Sequence, residues 1–170
     1  MKTDNNKRTD AYGGPLEYRF RFAHEVIQAV KTVIPENRLL FFRISNWGIA
    51  DMSVSLFSRR DEWQNLIRML SKEPVDAISV STYNFADKAF STDRNMAQLT
   101  REATDLPLLI CGKIHDRKTA DQAIQDADIV LSAKSMLLNP NLVEDIRAEK
   151  DLPLYTSEEA NRAYTGEALP

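Results

Sequence analysis

The sequence has few of the residues that most often form chemical sites. Its 170 residues include one cysteine, Cys111, and two histidines, His24 and His115. A lone cysteine excludes an internal disulfide and favours a reducing compartment, so we predict a cytoplasmic location. The aspartates show no metal-ligand spacing, and no C-x-x-C, H-E-x-x-H or Walker pattern occurs. We therefore predict no metal site.

Long hydrophobic runs and an excess of positive charge are also missing. The longest apolar runs, residues 39–42 and 106–111, fall far short of the roughly 20 residues that span a bilayer. Met1 is followed by polar and charged residues without an apolar segment, so no secretory signal is predicted. A net charge of -3 from 22 basic and 25 acidic residues gives no basic field for nucleic acid. A small-molecule substrate is the expected partner, with no nucleic acid and no membrane.

The chain does contain a regular alternation of helix-like and strand-like segments. Apolar residues at spacings of three and four predict a first helix from residue 16 to 34, closed by Pro35. Four short apolar segments predict strands buried on both faces, at residues 39–45, 77–81, 107–112 and 128–132. Helices are predicted around residues 63–70, from residue 92 or 93 to 103, at 117–125 behind Asp116, at 136–138 and at 142–148, interrupted at Pro140. These are four β/α units, so the fold class is α/β with a parallel sheet. Periodicity alone leaves open whether the sheet closes into a barrel.

Polar side chains follow each predicted strand. They are Arg43, Ser45 and Asn46, then Ser81, Thr82, Tyr83 and Asn84, then Gly112, Lys113 and His115, then Ser132, Ala133, Lys134 and Ser135. Sites in β/α folds collect at the carboxyl ends of strands, where loops converge. Three cations and several hydroxyls there predict an anion-binding rim.

Residues 6–22 carry a motif of fixed spacing. They read Asn-Lys-Arg-Thr-Asp-Ala-Tyr-Gly-Gly-Pro-Leu-Glu-Tyr-Arg-Phe-Arg-Phe. This resembles the N-x-R-x-D-x-Y-G-G-S-x-E-N-R-x-R-F signature of the old yellow enzyme family, flavin-dependent oxidoreductases that reduce activated alkenes on an eight-fold β/α barrel. Pro15 replaces the usual serine and Tyr18 the usual asparagine. The signature lies near mid-barrel in that family, which implies that residues 1–150 are the second half of a TIM-type (β/α)8 barrel, strands five to eight, with residues 151–170 as a C-terminal tail.

The resemblance also implies cofactors and site residues. It implies FMN, with NAD(P)H as the reductant. The Phe-Arg-Ile-Ser run around Arg43 matches the strand-five arginine that reaches the flavin, and Gly112 and Lys113 match the strand-seven phosphate contact. Ala133 and Lys134 stand where the family has a phosphate-binding Gly-Arg pair. No catalytic residue is assigned, because the family's substrate-binding pair and its proton-donating tyrosine belong to the first half.

Each candidate residue also has a simpler structural interpretation. Arg43 could pair with a carboxylate at a strand end, and Lys113 and Lys134 could be solvated lysines at helix starts. His24 is interpreted as a helix-surface or packing residue, His115 as a loop residue, and Cys111 as a small buried hydrophobe.

The predicted function is the C-terminal FMN-binding portion of an NAD(P)H-dependent flavin oxidoreductase of the ene-reductase type, inactive as an isolated chain. One alternative is a non-catalytic truncated remnant or phosphate-binding half-barrel module. Another is an unrelated barrel enzyme acting on a phosphorylated metabolite. A half barrel leaves strand edges and an apolar face open, which predicts a homo-oligomer or association with the missing N-terminal half.

Overall fold

The computed structural model describes residues 6–48 and 55–165, in which strands and helices alternate. The helices are α1 (Leu16–Val33), α2 (Arg60–Leu70), α3 (Met96–Arg101), α4 (Arg117–Ala123), α5 (Lys134–Leu138), α6 (Leu142–Arg147) and α7 (Ser157–Thr165). The strands are β1 (Phe41–Ser45), β2 (Ala77–Ser81), β3 (Leu108–Cys111) and β4 (Ile129–Leu131). The predicted α/β class is therefore confirmed.

The four strands form one parallel sheet in the order β1-β2-β3-β4. Residues in register share a face of a parallel sheet, since side chains alternate along each strand. One register row contains Arg43, Ser79, Leu109 and Ile129, and the next row on the same face contains Ser45, Ser81, Cys111 and Leu131. We call the face that carries these two rows the open face. The strands β1 and β4 lie at the two edges of the sheet.

The opposite face of the sheet packs against the helices and forms the hydrophobic core. Ile44, Ile78, Val80 and Ile110 belong to one buried cluster with residues of α1 and α2. Trp63 of α2 is fully buried in that cluster. Each large apolar side chain buried in this way contributes about 1.5 to 3 kcal/mol. The core therefore fixes the orientation of the strands that carry the open face.

Several predicted element boundaries differ from the structure by two to four residues. β1 begins at Phe41 rather than at residue 39, because Leu39 is 70% exposed and the Leu40 amide donates to the Asp76 carboxylate at 2.7 Å. β4 is shorter than predicted, and α4 ends at Ala123 rather than at residue 125.

The start of α3, at Met96, lies three or four residues later than predicted. Asn95 caps this helix, because its side chain accepts from the Gln98 amide while the Gln98 side chain accepts from the Asn95 amide. Thr92 instead closes a turn through its amide to the Ala89 carbonyl at 3.0 Å. The Thr92 hydroxyl also accepts from the Arg94 amide at 3.1 Å. This threonine therefore stabilises the loop before the helix and does not cap the helix.

The C-terminal part of the chain continues the helical pattern. α7 packs against α5, and Ala160 is buried. The division between residues 150 and 151 stays a prediction. Across residues 6–48 and 55–165, no helix has both the length and the apolar character to cross a membrane.

Candidate functional site

The signature motif folds into a tight turn before α1. Asn6 Nδ2 donates to the Tyr12 carbonyl at 2.8 Å, and the amides of Tyr12 and Gly13 donate to Asp10 at 3.1 Å each. Arg8 pairs with the same aspartate. Gly13 is required at its position, because a Cβ atom there would overlap the Arg8 carbonyl. The motif is thus a turn stabilised by hydrogen bonds among its own residues.

An arginine of the motif joins this turn to α2. Arg19 Nε donates to the Gly14 carbonyl at 2.9 Å, and its guanidinium pairs with Glu62 in the first turn of α2. The Arg19 side chain is nearly fully buried, so this contact fixes the start of α1 against the start of α2. α2 begins after β1, and its first turn therefore lies toward the carboxyl edge of the sheet. The signature accordingly supports the edge at which the site lies.

Arg43 extends from the middle of β1 across the open face. Its Nη2 atom donates to Ser81 Oγ at 3.0 Å and lies 3.4 Å from Cys111 Sγ. Within residues 6–48 and 55–165, no carboxylate forms an ion pair with this guanidinium. The interpretation as a carboxylate-paired arginine therefore finds no support among residues 6–48 and 55–165. Cys111 is partly exposed and contacts a cation, so the interpretation of it as a buried hydrophobe is also wrong.

Gly112 follows β3 in a conformation that favours glycine. Its φ is +127°, and a Cβ atom there would lie 2.5 Å from the Thr82 carbonyl oxygen. The Thr82 hydroxyl donates to the Cys111 carbonyl at 2.7 Å, and the Phe85 amide donates to the Gly112 carbonyl at 3.1 Å. The loops after β2 and β3 therefore approach each other closely, and the missing Cβ permits that approach.

Lys113 continues this loop and also has a positive φ, of 53°. Its Nζ atom lies 4.7 Å from the centre of the Tyr83 ring, a cation–π distance. His115 stays in the same loop, with Nδ1 at 3.0 Å from the Lys113 carbonyl. His115 is therefore a loop residue, as predicted.

The remaining two predicted residues open α5. Ala133 precedes the helix and accepts the Leu137 amide at 2.9 Å, and Lys134 is its first residue. Both are exposed. Ser132 donates to the Ile114 carbonyl at 2.7 Å, which joins the loops after β3 and β4. Because the strands are parallel, Arg43, Gly112, Lys113, Ala133 and Lys134 all belong to the carboxyl edge of the sheet.

A pocket of about 470 Å³ adjoins this edge at the ends of β1 and β2. Its lining includes Trp47, Phe57, Tyr83 and Phe90. Trp47 was missed by sequence reasoning, although it follows a strand end by two residues. Its Nε1 donates to the Ser81 carbonyl at 3.1 Å. The pocket places aromatic surface beside the cationic edge.

Two other titratable residues, His24 and Asp116, have structural contacts. His24, on the exposed side of α1, contacts both carboxylate oxygens of Glu73 at 2.9 Å. Thr119 donates a hydrogen bond that holds the pKa of Asp116 below its usual value, and the backbone amide of the same residue acts in the same direction. No group of three or more potential metal ligands occurs in the described parts of the chain.

The fold and the edge together define a class of protein. A parallel β/α sheet with an arginine, two lysines and an enforced glycine at its carboxyl edge is typical of β/α-barrel proteins that bind an anionic ligand.

Comparison with known proteins identifies the family. The profile of the NADH:flavin oxidoreductase / NADH oxidase family matches residues 1–154, and the chain belongs to that family. Its relatives include a probable flavin mononucleotide-dependent alkene reductase of Leishmania infantum, 32% identical over 99% of this chain and 44% of that protein. An NADPH dehydrogenase of Clostridium acetobutylicum is 25% identical over 94% of this chain and 48% of its own length. The old yellow enzyme of Trypanosoma cruzi has a similar fold, with a TM-score of 0.76 and 19% identity over 98% of this chain and 44% of its own.

These matches confirm the resemblance inferred from the signature. The chain spans less than half of each of these relatives, and its sheet matches part of a barrel. FMN and a nicotinamide reductant are the cofactors of the family to which it belongs, as predicted.

Proposed function

We propose that the chain is the FMN-binding portion of an NAD(P)H-dependent flavin oxidoreductase of the ene-reductase type. In this proposal residues 1–150 hold the cofactor, and residues 151–170 form a tail. Arg43, Gly112, Lys113, Ala133 and Lys134 are the cofactor contacts. Bound FMN would supply the chemistry, accepting hydride from the nicotinamide and passing it to an electron-poor alkene.

One observation carries the proposal, namely a guanidinium on the open face without a carboxylate partner in the described residues. A charged group held by neutral acceptors keeps its full charge for an anionic ligand. Arg43 therefore suits the negative charge that develops on a reduced flavin ring, while the lysines at the same edge suit a phosphate.

The glycine after β3 supports the same fit. A side chain at Gly112 would collide with Thr82, so glycine lets the loops after β2 and β3 approach each other and keeps Lys113 beside Tyr83 at this edge. Lys134 binds as a point charge where the family has a bidentate arginine, so we expect a weaker phosphate contact than in complete relatives.

Catalysis is assigned to residues outside this chain. The family's substrate-binding pair and proton-donating tyrosine belong to the other half of the barrel, His24 contacts Glu73, and His115 contacts the Lys113 carbonyl and Asp116. The proposal is therefore a chain that binds FMN but is inactive alone. Association with an N-terminal half, or with a second copy, would complete the barrel.

Titration of the purified chain with FMN and with riboflavin, followed by flavin fluorescence, tests the proposal. FMN should bind more tightly than riboflavin, because only FMN engages the lysines. Arg43→Ala should weaken FMN binding about tenfold or more, as expected for loss of a charged hydrogen bond. Arg68→Ala, which removes an exposed arginine from α2, serves as the control and should leave binding unchanged.

A second pair of variants addresses the phosphate contact. Lys134→Ala should reduce the preference for FMN over riboflavin, and Lys134→Arg should increase it. If the wild-type chain binds neither flavin, or binds both equally, the cofactor proposal is wrong and the reading as a non-catalytic remnant replaces it.

A further inference from the structure

Three neighbouring strands meet at the Arg43 guanidinium. The arginine begins on β1, and its Nη2 atom contacts Ser81 at the end of β2 and Cys111 at the end of β3. Both acceptors lie in the register row above that of Arg43. The side chain is therefore directed toward the carboxyl edge, although the residue itself is exposed.

Ser81 provides a fixed point for this contact. It is only 2% exposed and pairs in register with Ser45 on one side and Cys111 on the other. Its carbonyl also accepts the Trp47 indole N–H at 3.1 Å. The backbone of Ser81 is thus paired with a strand on each side, and this fixes the position of the hydroxyl that contacts the guanidinium.

We infer that Ser81 is a positioning residue, whose hydroxyl holds the Arg43 guanidinium in the orientation that meets the cofactor's negative charge. The inference rests on the proposed function in so far as Arg43 is the cofactor contact. Arginine has many rotamers, and fixing one of them before binding lowers the entropy cost of binding. A hydroxyl fixes the guanidinium and leaves its positive charge in place. A carboxylate at the same position would neutralise that charge.

The same strand offers a matched control in Ser79. It lies two residues before Ser81 on the open face and is 5% exposed, and its Oγ has no hydrogen-bond partner in the described residues. Ser81→Ala and Ser79→Ala remove the same atom from the same strand. Ser79 is the register neighbour of Arg43, but only the substitution at Ser81 removes a hydrogen bond to the guanidinium.

The first test needs no flavin, because Cys111 is the single cysteine of the chain and contacts the guanidinium. The probes are two methanethiosulfonates of similar size, one carrying a sulfonate and the other a trimethylammonium group. In each reaction the Cys111 thiolate attacks the sulfenyl sulfur, forming a mixed disulfide and releasing methanesulfinate. The ratio of the two rates measures the local charge and cancels differences in exposure and thiolate fraction.

The wild-type chain should favour the anionic reagent, and Arg43→Ala should lower the rate ratio by about tenfold, as expected for one unit charge a few ångströms away in water. Ser81→Ala should shift the ratio most of the way toward that of Arg43→Ala, and Ser79→Ala should keep the wild-type ratio. A wild-type ratio in Ser81→Ala would overturn the inference. Should Ser81→Ala not fold, Ser81→Thr and Ser81→Val compare a hydroxyl with a methyl group of equal size.

The second test uses FMN. Ser81→Ala should weaken FMN binding about tenfold and shift the visible absorbance of the bound flavin toward that of Arg43→Ala. Ser79→Ala should do neither, and Ser81→Thr should restore both. Unchanged FMN binding and spectrum in Ser81→Ala would also overturn the inference. If the thiol rate ratio falls as expected but the wild-type chain binds no FMN, the positioning of Arg43 stands and the proposed function fails.

Discussion

Replacing Gly112 by alanine should destabilise the fold through two separable costs. The residue has a φ of +127°, and a Cβ atom would lie 2.5 Å from the Thr82 carbonyl oxygen and 2.6 Å from its hydroxyl. Gly14 offers the matched control, because its φ is +76° but nothing lies within 4 Å of a Cβ built there. Gly14→Ala therefore carries only the backbone cost, and Gly112→Ala carries the backbone and the steric cost.

The magnitudes separate the two variants. A non-glycine residue at positive φ costs about 1 to 2 kcal/mol. Displacing a packed backbone group adds about 1 to 3 kcal/mol, so Gly112→Ala should lose about 2 to 5 kcal/mol and Gly14→Ala about 1 to 2 kcal/mol. A domain of this size shifts its melting temperature by about 2 to 4 °C per kcal/mol. Gly112→Ala should therefore melt about 10 °C below the wild type.

Urea unfolding followed by tryptophan fluorescence measures both losses, since Trp63 is fully buried in the core. The double variant Thr82→Ala/Gly112→Ala should recover little stability, because the nearest clashing atom is a backbone oxygen that the substitution at residue 82 leaves in place. If Gly112→Ala loses no more than Gly14→Ala, the close approach between the loops after β2 and β3 is wrong.

Two further substitutions address the helix and strand connections. The Leu108 amide and the Arg101 side chain hold the pKa of Asp128 below its ordinary value of 3.8. The stability from this carboxylate is therefore present above about pH 4 and is lost as the pH falls through the lowered pKa. Asp128→Asn should destabilise the protein at pH 7, and its effect should shrink as the pH falls below about 4, measured by urea midpoints across pH. Asp116→Ala removes the α4 capping box and should cost about 1 kcal/mol. Asp121→Ala, which breaks an exposed pair on the same helix, should cost less than about 0.5 kcal/mol, and equal losses would contradict the capping role.

The order and type of the elements were predictable from the sequence because the apolar periods change clearly between strands and helices. The boundaries were less predictable, because local hydrogen bonds decide them. At α3, both Thr92 and Asn95 have side chains that could cap a helix, but only Asn95 has a glutamine three residues later to complete a reciprocal pair. A search for that pair would have placed the boundary correctly.

The candidate site was partly predictable. Arg43 and Gly112 were proposed through the family resemblance, and the rim at the strand ends followed from the parallel sheet. The role of Ser81 required the register between β1 and β2, which joins residues 38 positions apart in the Arg43–Ser81 hydrogen bond. Sequence periodicity gives the face of a strand but not the residue that lies opposite on its neighbour.

Under the proposed function, binding and turnover should be separable, because the cofactor contacts and the catalytic groups are assigned to different parts of a barrel. The guanidinium on the open face is held within the chain itself, by Ser81 and Cys111. The loops after β3 and β4 are likewise joined to each other by the Ser132 bond to Ile114. These contacts need nothing from a partner. Flavin affinity should therefore be present in the isolated chain, whereas hydride transfer to an acceptor should appear only when a complementary set of β/α units covers the open face.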